Sequence, residues 1–193
     1  MKASKEEYLS LMRNGKLFKL ETEVFRQWYT RAKDLCRAYN EVSNNHNSTA
    51  RREAILQDLL GSCGSRPDIE PPFRCDFGFN ISIGDLFVAE PKLVILDASL
   101  VEIGNNVYCG QGVHFYAADH PRAASARATW AMFGRPIKIG DDVCIGANTV
   151  IMSGVNIGDG SVIEAGSIVT KDIPSHVVAG GNPCRVVKDI RSC

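Results

Sequence analysis

The sequence predicts a mainly β protein: a parallel β-coil preceded by a small helical region. Three observations carry this. An aliphatic residue recurs at every sixth position, most clearly at Ile139, Ile145, Ile151, Ile157, Ile163 and Val169. The fifth place of the same hexamers is small or β-branched, at Val107, Val113, Val143, Thr149, Val155, Ser161, Ser167 and Ile173. Gly, Asn and Asp crowd the places between. A period of six fits neither a helix nor a two-residue strand alternation. It fits one flat side of a three-sided coil, with the first and fifth residues pointing inward and the glycines and Asx residues at corners where positive φ is cheap. Repeats of this kind bury their apolar faces only by stacking on one another.

The elements follow in order. Residues 4–13 (SKEEYLSLMR) read as a short amphipathic helix stopped by Asn14 and Gly15. Residues 22–43 read as a longer helix with Val24, Trp28, Ala32, Leu35 and Tyr39 on one stripe. After a polar loop, Asn47 or Ser48 caps a third helix over about 49–60, ended by Gly61. PDIEPPF is extended, because its prolines forbid a helix. The coil then opens weakly at Ile83, Ala89 and Ile95 and continues through Ile103, Cys109 and Phe115. Residues 117–136 lack the repeat, yet Phe115 and Ile139 are 24 positions apart, a multiple of six. The phase is kept, so this segment is an excursion loop from a continuous coil. The division expected is residues 1–62 as a helical region and 63–193 as the coil with its tail.

Composition excludes several classes. The 193 residues carry 22 Lys plus Arg against 22 Asp plus Glu, a net charge of zero. That balance predicts no nucleic-acid partner and no membrane-surface patch. No apolar run approaches the roughly 18 residues of a spanning helix, and the polar start MKASKEEYLS is not a secretory leader. The seven cysteines are odd in number, widely spaced and never in a C-x-x-C pair. They read as reduced thiols, hence a cytoplasmic location.

For chemistry the first candidate is His120, in Asp119-His120-Pro121 at the base of the excursion. Functional side chains concentrate on loops carried by rigid scaffolds, and an imidazole suits a general base that deprotonates a hydroxyl.

The hexamers resemble those of the hexapeptide-repeat acyltransferases. An ordered set of segments over nearly the whole chain resembles their maltose/galactoside O-acetyltransferase branch. The set is LLGS (59–62), IEPPFRCDFGFNISIGD (69–85), VILD (94–97), AADHP (117–121), GRPIKIGDDVCIG (134–146) and SIVTKDIPSHVVAGGNPCRVV (167–187). The resemblance implies a left-handed parallel β-helix, an exception to the right-handed crossover rule. It implies acetyl-CoA-dependent transfer to a hydroxyl of a small acceptor, with His120 as base and the Ala147 backbone N–H holding the oxyanion. CoA contacts map onto Ala165, Thr170, Lys171 and Arg185, and more loosely Lys188. It also implies a homotrimer with sites between adjacent subunits, and no metal.

Some positions depart from the family pattern. Glu90, Pro91 and Lys92 stand where the family has Asn-x-Asn. Glu90 beside His120 would orient the ring as in a His–acid pair. Leu20 and Ala98 replace acids of the sugar site, while Asp76 is kept and Met132 holds a matching lining position. Cys144 replaces a Trp, and Trp130 and Phe133 offer aromatic surface instead. The CoA half is thus better kept than the sugar half, and the acceptor expected is less polar than maltose or galactoside. The other readings are a different His–Glu acid–base reaction on a small molecule, and a non-catalytic trimer. A zinc site needs three imidazoles, and only His114 and His120 lie near each other in sequence.

Overall fold

The computed structural model describes residues 5–19, 22–43 and 48–190. Leu20, His46 and Asn47 lie outside these. The chain is a three-faced parallel β-helix. The first face stacks Ser62–Cys63, Ile81–Ile83, Val101–Ile103, Ile137–Ile139 and Asn156–Ile157. The second stacks Asp68–Ile69, Val88–Ala89, Tyr108–Cys109, Cys144–Ile145, Val162–Ile163 and Val177–Gly180. The third stacks Arg74–Cys75, Val94–Leu96, His114–Tyr116, Val150–Met152 and Ile168–Val169.

The inward positions are the ones the period selects. Ile139, Ile145, Ile151, Ile157, Ile163 and Val169 are buried, as are all eight fifth-place residues from Val107 to Ile173. The polar members of that set are paired inside. Ser161 donates to the Pro174 carbonyl at 2.8 Å and Thr149 to the Glu164 carbonyl at 3.3 Å. A buried hydroxyl left unpaired would cost about 1–3 kcal/mol.

The period is not uniform. Late turns advance 18 residues, pairing Lys138 with Asn156 and Ile145 with Ile163. Early turns advance 20, pairing Cys63 with Ile83 and Ile95 with Phe115. The two extra residues sit at the corner between the third and first faces, where Phe77, Asn80, Ala98 and Ser99 are buried. The coil therefore begins a full turn before Ile83, at Ser62–Cys63, where six-residue spacing gives no signal. Ile103 pairs with Ile139, an advance of 36. The excursion thus adds the length of one 18-residue turn without forming one.

One corner is held by a ladder of Asx side chains. Ser65, Asp85, Asn105 and Asp141 each donate a backbone N–H to the side chain one turn on, at Asp85, Asn105, Asp141 and Asp159, over 2.6–2.9 Å. This explains the Asx residues of the pattern: each satisfies a corner amide that has no sheet partner.

Helix α1 spans Lys5–Arg13 and stops at Gly15, whose φ is 73°. Helix α2 spans Glu23–Asn40 and is capped by Thr22, whose side chain accepts the Phe25 N–H. Its buried residues are Phe25, Ala32, Cys36 and Tyr39, so the apolar stripe is turned from the one expected, with Val24, Trp28 and Leu35 on its flank. The rotation follows its partners. Phe25 packs against Phe18 and Phe77, and Cys36 Sγ lies 3.6 Å from Cys75 Sγ. Helix α3 spans Ser48–Leu59.

Helix α2 covers the first coil turn and satisfies its polar groups. Tyr39 donates to the Ile69 carbonyl at 2.6 Å, Asn40 exchanges two bonds with Phe73, and Lys33 donates to the Cys75 carbonyl at 2.8 Å. An uncovered edge of this kind would template pairing with another chain. At the other end Arg185–Asp189 folds back antiparallel on Val177–Gly180.

The excursion is not structureless. Asp119 and Phe133 form an antiparallel bridge at its base, and helix α4 (Ala124–Arg127) lies beyond. Ala131–Met132 pairs antiparallel with Phe18–Lys19 of the N-terminal segment. This pairing closes a space between α2, the third face and the excursion.

Candidate active site

That space is a cleft of about 450 Å³. Helix α2 supplies Phe25, Arg26 and Tyr29; the third face and the corner after it supply Arg74, Asp76 and Leu96. The excursion supplies Ala118, His120 and Met132. His120, Asp76 and Met132, far apart in sequence, are thus brought together. A wider groove of about 630 Å³ along the outer side of α2 is lined by charged residues such as Arg31 and Asp58, which pair with each other at 2.6 Å. No histidine or cysteine lines it, so the His120 cleft is the better candidate.

The geometry at His120 fixes its chemistry. Its Nδ1 lies 3.1 Å from the Ala131 carbonyl oxygen across the base of the excursion. A carbonyl only accepts, so Nδ1 carries the proton in this pairing and Nε2 is left as the basic nitrogen. Asp119 holds the backbone rather than the ring, accepting the His120 N–H at 2.7 Å. The excursion therefore orients the imidazole through main-chain groups.

Asp76 is held from two sides. Its carboxylate pairs with Lys33 of α2 at 3.2 Å, and its backbone N–H donates to Asp97 at 3.0 Å. Asp97 also accepts the Phe77 N–H at 2.8 Å and is fully buried. Burial pushes its pKa up to about 7 against these stabilising amide bonds. Its Oδ2 has no partner among the described residues.

The acyl-carrier candidates lie along a different corner. Ala147 and Ala165 occupy adjacent turns, joined by the Gly166 N–H to the Ala147 carbonyl at 2.8 Å. Gly110 and Gly146 hold the preceding place on two turns, Glu164 holds it on the next and Gly180 on the one after. A Cβ on Gly110 would meet the Ala147 nitrogen at 2.8 Å, and one on Gly146 would meet the Ala165 nitrogen at 2.4 Å. One turn earlier Glu90 accepts the Gln111 N–H at 3.1 Å, whereas Gly110 offers the Ala147 N–H no such side chain. Thr170, Lys171 and Arg185 are exposed around the end of the third face, and Arg185 donates to the Cys184 carbonyl at 2.7 Å. Lys188 stands apart, opposite Val178 on the second face.

Two expected residues are not brought to His120 within the chain. Glu90 accepts from the Tyr108 hydroxyl at 2.6 Å and from Gln111, so both of its oxygens are engaged away from the imidazole. Trp130 is 76% exposed, at φ 56°, and does not line the cleft. Ala98 is fully buried, packed in the cluster that contains Phe77 and Met132. His114 shares its Nδ1 with the Tyr116 hydroxyl at 2.9 Å. Among the described residues no group of three or more His, Cys, Asp or Glu is gathered as a metal site.

Sequence reasoning missed Arg26, Tyr29, Arg74, Lys33 and Asp97. Arg74 and Asp97 sit inside segments that were legible as RCDFG and VILD, but a pattern does not say which side of the chain faces a cleft. Arg26 and Tyr29 lie on α2 outside the stripe of Val24, Trp28, Ala32, Leu35 and Tyr39.

Comparison with known proteins gives consistent results. Residues 136–171 match the family described as the hexapeptide repeat of succinyl-transferase, and residues 11–64 match the maltose acetyltransferase hexapeptide capping motif. The chain is 40% identical over 179 residues to the galactoside O-acetyltransferase of Escherichia coli, covering 93% of this chain and 87% of that protein. A maltose O-acetyltransferase structure from Clostridium difficile superposes with a TM-score of 0.90 at 41% identity over 98% of both chains. A hexapeptide-repeat acetyltransferase from Vibrio cholerae, solved with acetyl-CoA, superposes with a TM-score of 0.87 at 34% identity over 95% of this chain and 98% of that one.

Proposed function

This chain belongs to the maltose/galactoside O-acetyltransferase family of hexapeptide-repeat acetyltransferases, and from that premise we propose that it moves an acetyl group from acetyl-CoA to a hydroxyl of a small acceptor in the His120 cleft. The observation that carries the reading is the lock on His120, with Nδ1 tied to the Ala131 carbonyl and Nε2 free beside an apolar wall. Acetyl-CoA supplies the acyl group as a thioester. His120 Nε2 takes the acceptor hydroxyl proton as that oxygen bonds to the thioester carbon. The Ala147 N–H holds the oxyanion of the tetrahedral intermediate. When the C–S bond breaks, His120 returns the proton to the departing sulfur, leaving CoA thiol and the acetyl ester.

The CoA arm runs along the corner of Ala147 and Ala165 toward Thr170, Lys171 and Arg185. The vibrio relative solved with acetyl-CoA supports the choice of donor. The basic side chains suit phosphate, Arg as a fork and Lys as a point charge. The acceptor has a less polar body than a disaccharide, a reading supported by Phe25, Tyr29, Leu96 and Met132 in the cleft.

The active form is a homotrimer. Support comes from the outward side of the third face, where Val94, Leu96, Val150, Met152 and Ile168 are apolar and only half-covered in the single chain. The location is cytoplasmic, consistent with six free cysteines among the described residues. No helix of the described chain is long and apolar enough to cross a membrane.

The test is CoA-thiol release from acetyl-CoA by the purified protein across sugars, alcohols, phenols and amines. The expected result is acceptor-dependent release with hydroxyl acceptors and an acetyl ester as product. Release only with amines, or none with any acceptor, contradicts the proposal.

A further inference from the structure

Two thiols that the acetyl transfer does not use face each other across a junction of the fold. Cys36 of α2 and Cys75 of the first coil turn are 39 residues apart, yet their Sγ atoms lie 3.6 Å apart in a buried contact. Cys75 is the inward residue of its strand, in register with Ile95, so it lies in the core and not on the outward row of the third face. Hydrogen bonds hold α2 on both sides of the contact. One turn earlier Lys33 donates to the Cys75 carbonyl at 2.8 Å, and one turn later Asn40 exchanges two bonds with Phe73. The sulfurs cannot drift apart without breaking these bonds. A disulfide needs about 2.05 Å between sulfurs, which each reaches by moving less than about 1 Å. The two thiols are also unequal. With Cys75 donating to its sulfur and the Lys33 ammonium beside it, the Cys36 thiol sits below its ordinary range. The same bond, with burial, pushes Cys75 well up. Cys36 is thus the nucleophile of the pair and Cys75 the resolving thiol.

We propose that Cys36 and Cys75 form a redox modification site, at which hydrogen peroxide closes a disulfide that staples α2 to the first coil turn. The Cys36 thiolate attacks one peroxide oxygen, the O–O bond breaks, and Cys36 becomes a sulfenic acid as hydroxide leaves. Cys75 gives up its proton and attacks the Cys36 sulfur, the S–O bond breaks, and a second hydroxide leaves. The two thiol protons and the two hydroxides make two waters, so one peroxide is reduced for each disulfide formed. Closing a 39-residue loop restricts the unfolded chain, and the oxidised protein resists unfolding better than the reduced one. The staple lies beside the cleft, since Cys75 precedes Asp76 and α2 carries Phe25 and Tyr29.

The test needs no turnover, so it stands or falls apart from the acetyl-transfer reading. The folded, reduced protein is treated with hydrogen peroxide, then unfolded in urea with excess iodoacetamide to trap every remaining thiol. Proteolysis without reductant and mass spectrometry follow. The expected product is one peptide pair joining Cys36 to Cys75, lighter than the two thiol peptides by about two mass units for the two hydrogens lost. Dithiothreitol separates it again. The urea midpoint of the oxidised wild type should lie above that of the reduced protein, and C36S and C75S should show no such upward shift after peroxide. Alkylation of both cysteines in the treated protein overturns the inference, as does either one joined to a different cysteine. Should a variant fail to fold, the wild-type peptide map and its two midpoints still decide. A joined pair with an unchanged or lowered midpoint overturns the staple.

Discussion

Asp97 shows how one buried group ties stability to the site. It holds the backbone N–H groups of Asp76 and Phe77, yet burial raises its pKa from 3.8 to about 7. Between those values the folded chain keeps a proton that the unfolded chain has released. Stability therefore falls as pH rises from about 4 to about 7, then levels off. In Asp97→Asn the side-chain oxygen still accepts both amides while the titration is gone. Urea midpoints measured across this range should fall with pH in the wild type and lose most of that slope in the variant. Equal slopes in the two proteins would contradict the assignment. His120 was legible in sequence because it stands in a short polar motif at a break in the repeat. Asp97 was not, because an acid in VILD looks the same whether it faces solvent or a closed corner. Within the single chain Glu90 is engaged by Tyr108 and the Gln111 amide, donors that a corner carboxylate finds close by and that sequence spacing does not reveal.

At the scale of elements, the coil depends on corners that leave no room for side chains. A Cβ on Gly146 would lie 2.4 Å from the Ala165 nitrogen, a backbone atom that cannot swing aside. Gly146→Ala should cost about 1–3 kcal/mol by forcing adjacent turns apart. Chemical denaturation measures this directly, and an unchanged midpoint would contradict a corner with no room for a methyl group. The late hexamers were readable because 18-residue turns keep one phase. The first turn was not, since its eight-residue step from Cys75 to Ile83 breaks the period at the point where Phe77 and Asn80 are tucked inside. The stripe of α2 was readable only to within one rotation step. Its final setting is chosen by Phe18, Phe77 and Cys75, which the helix's own periodicity does not contain.

At the scale of the molecule, a regular coil supports sites supplied by distant segments. The helical region covers the open end of the coil, and the Phe18–Lys19 strand fastens the excursion. A two-residue pairing has no periodic signature, so the closure of the cleft was invisible in sequence although both partners were in view. The homotrimer proposed here predicts a particle of three chains by light scattering. Met152→Lys and Ile168→Lys together should dissociate it, since each buries a charge in an apolar interface. A monomeric wild type, or a doubly substituted trimer, would contradict that assembly.

The central claim is that His120 is the general base of an acetyl transfer. The most direct measurement is the rate of acetyl ester formation from acetyl-CoA by the wild type and His120→Ala, side by side at saturating donor. The account predicts a fall of at least about a hundredfold with the fold intact by circular dichroism. Ester formation at an undiminished rate in the variant would contradict it.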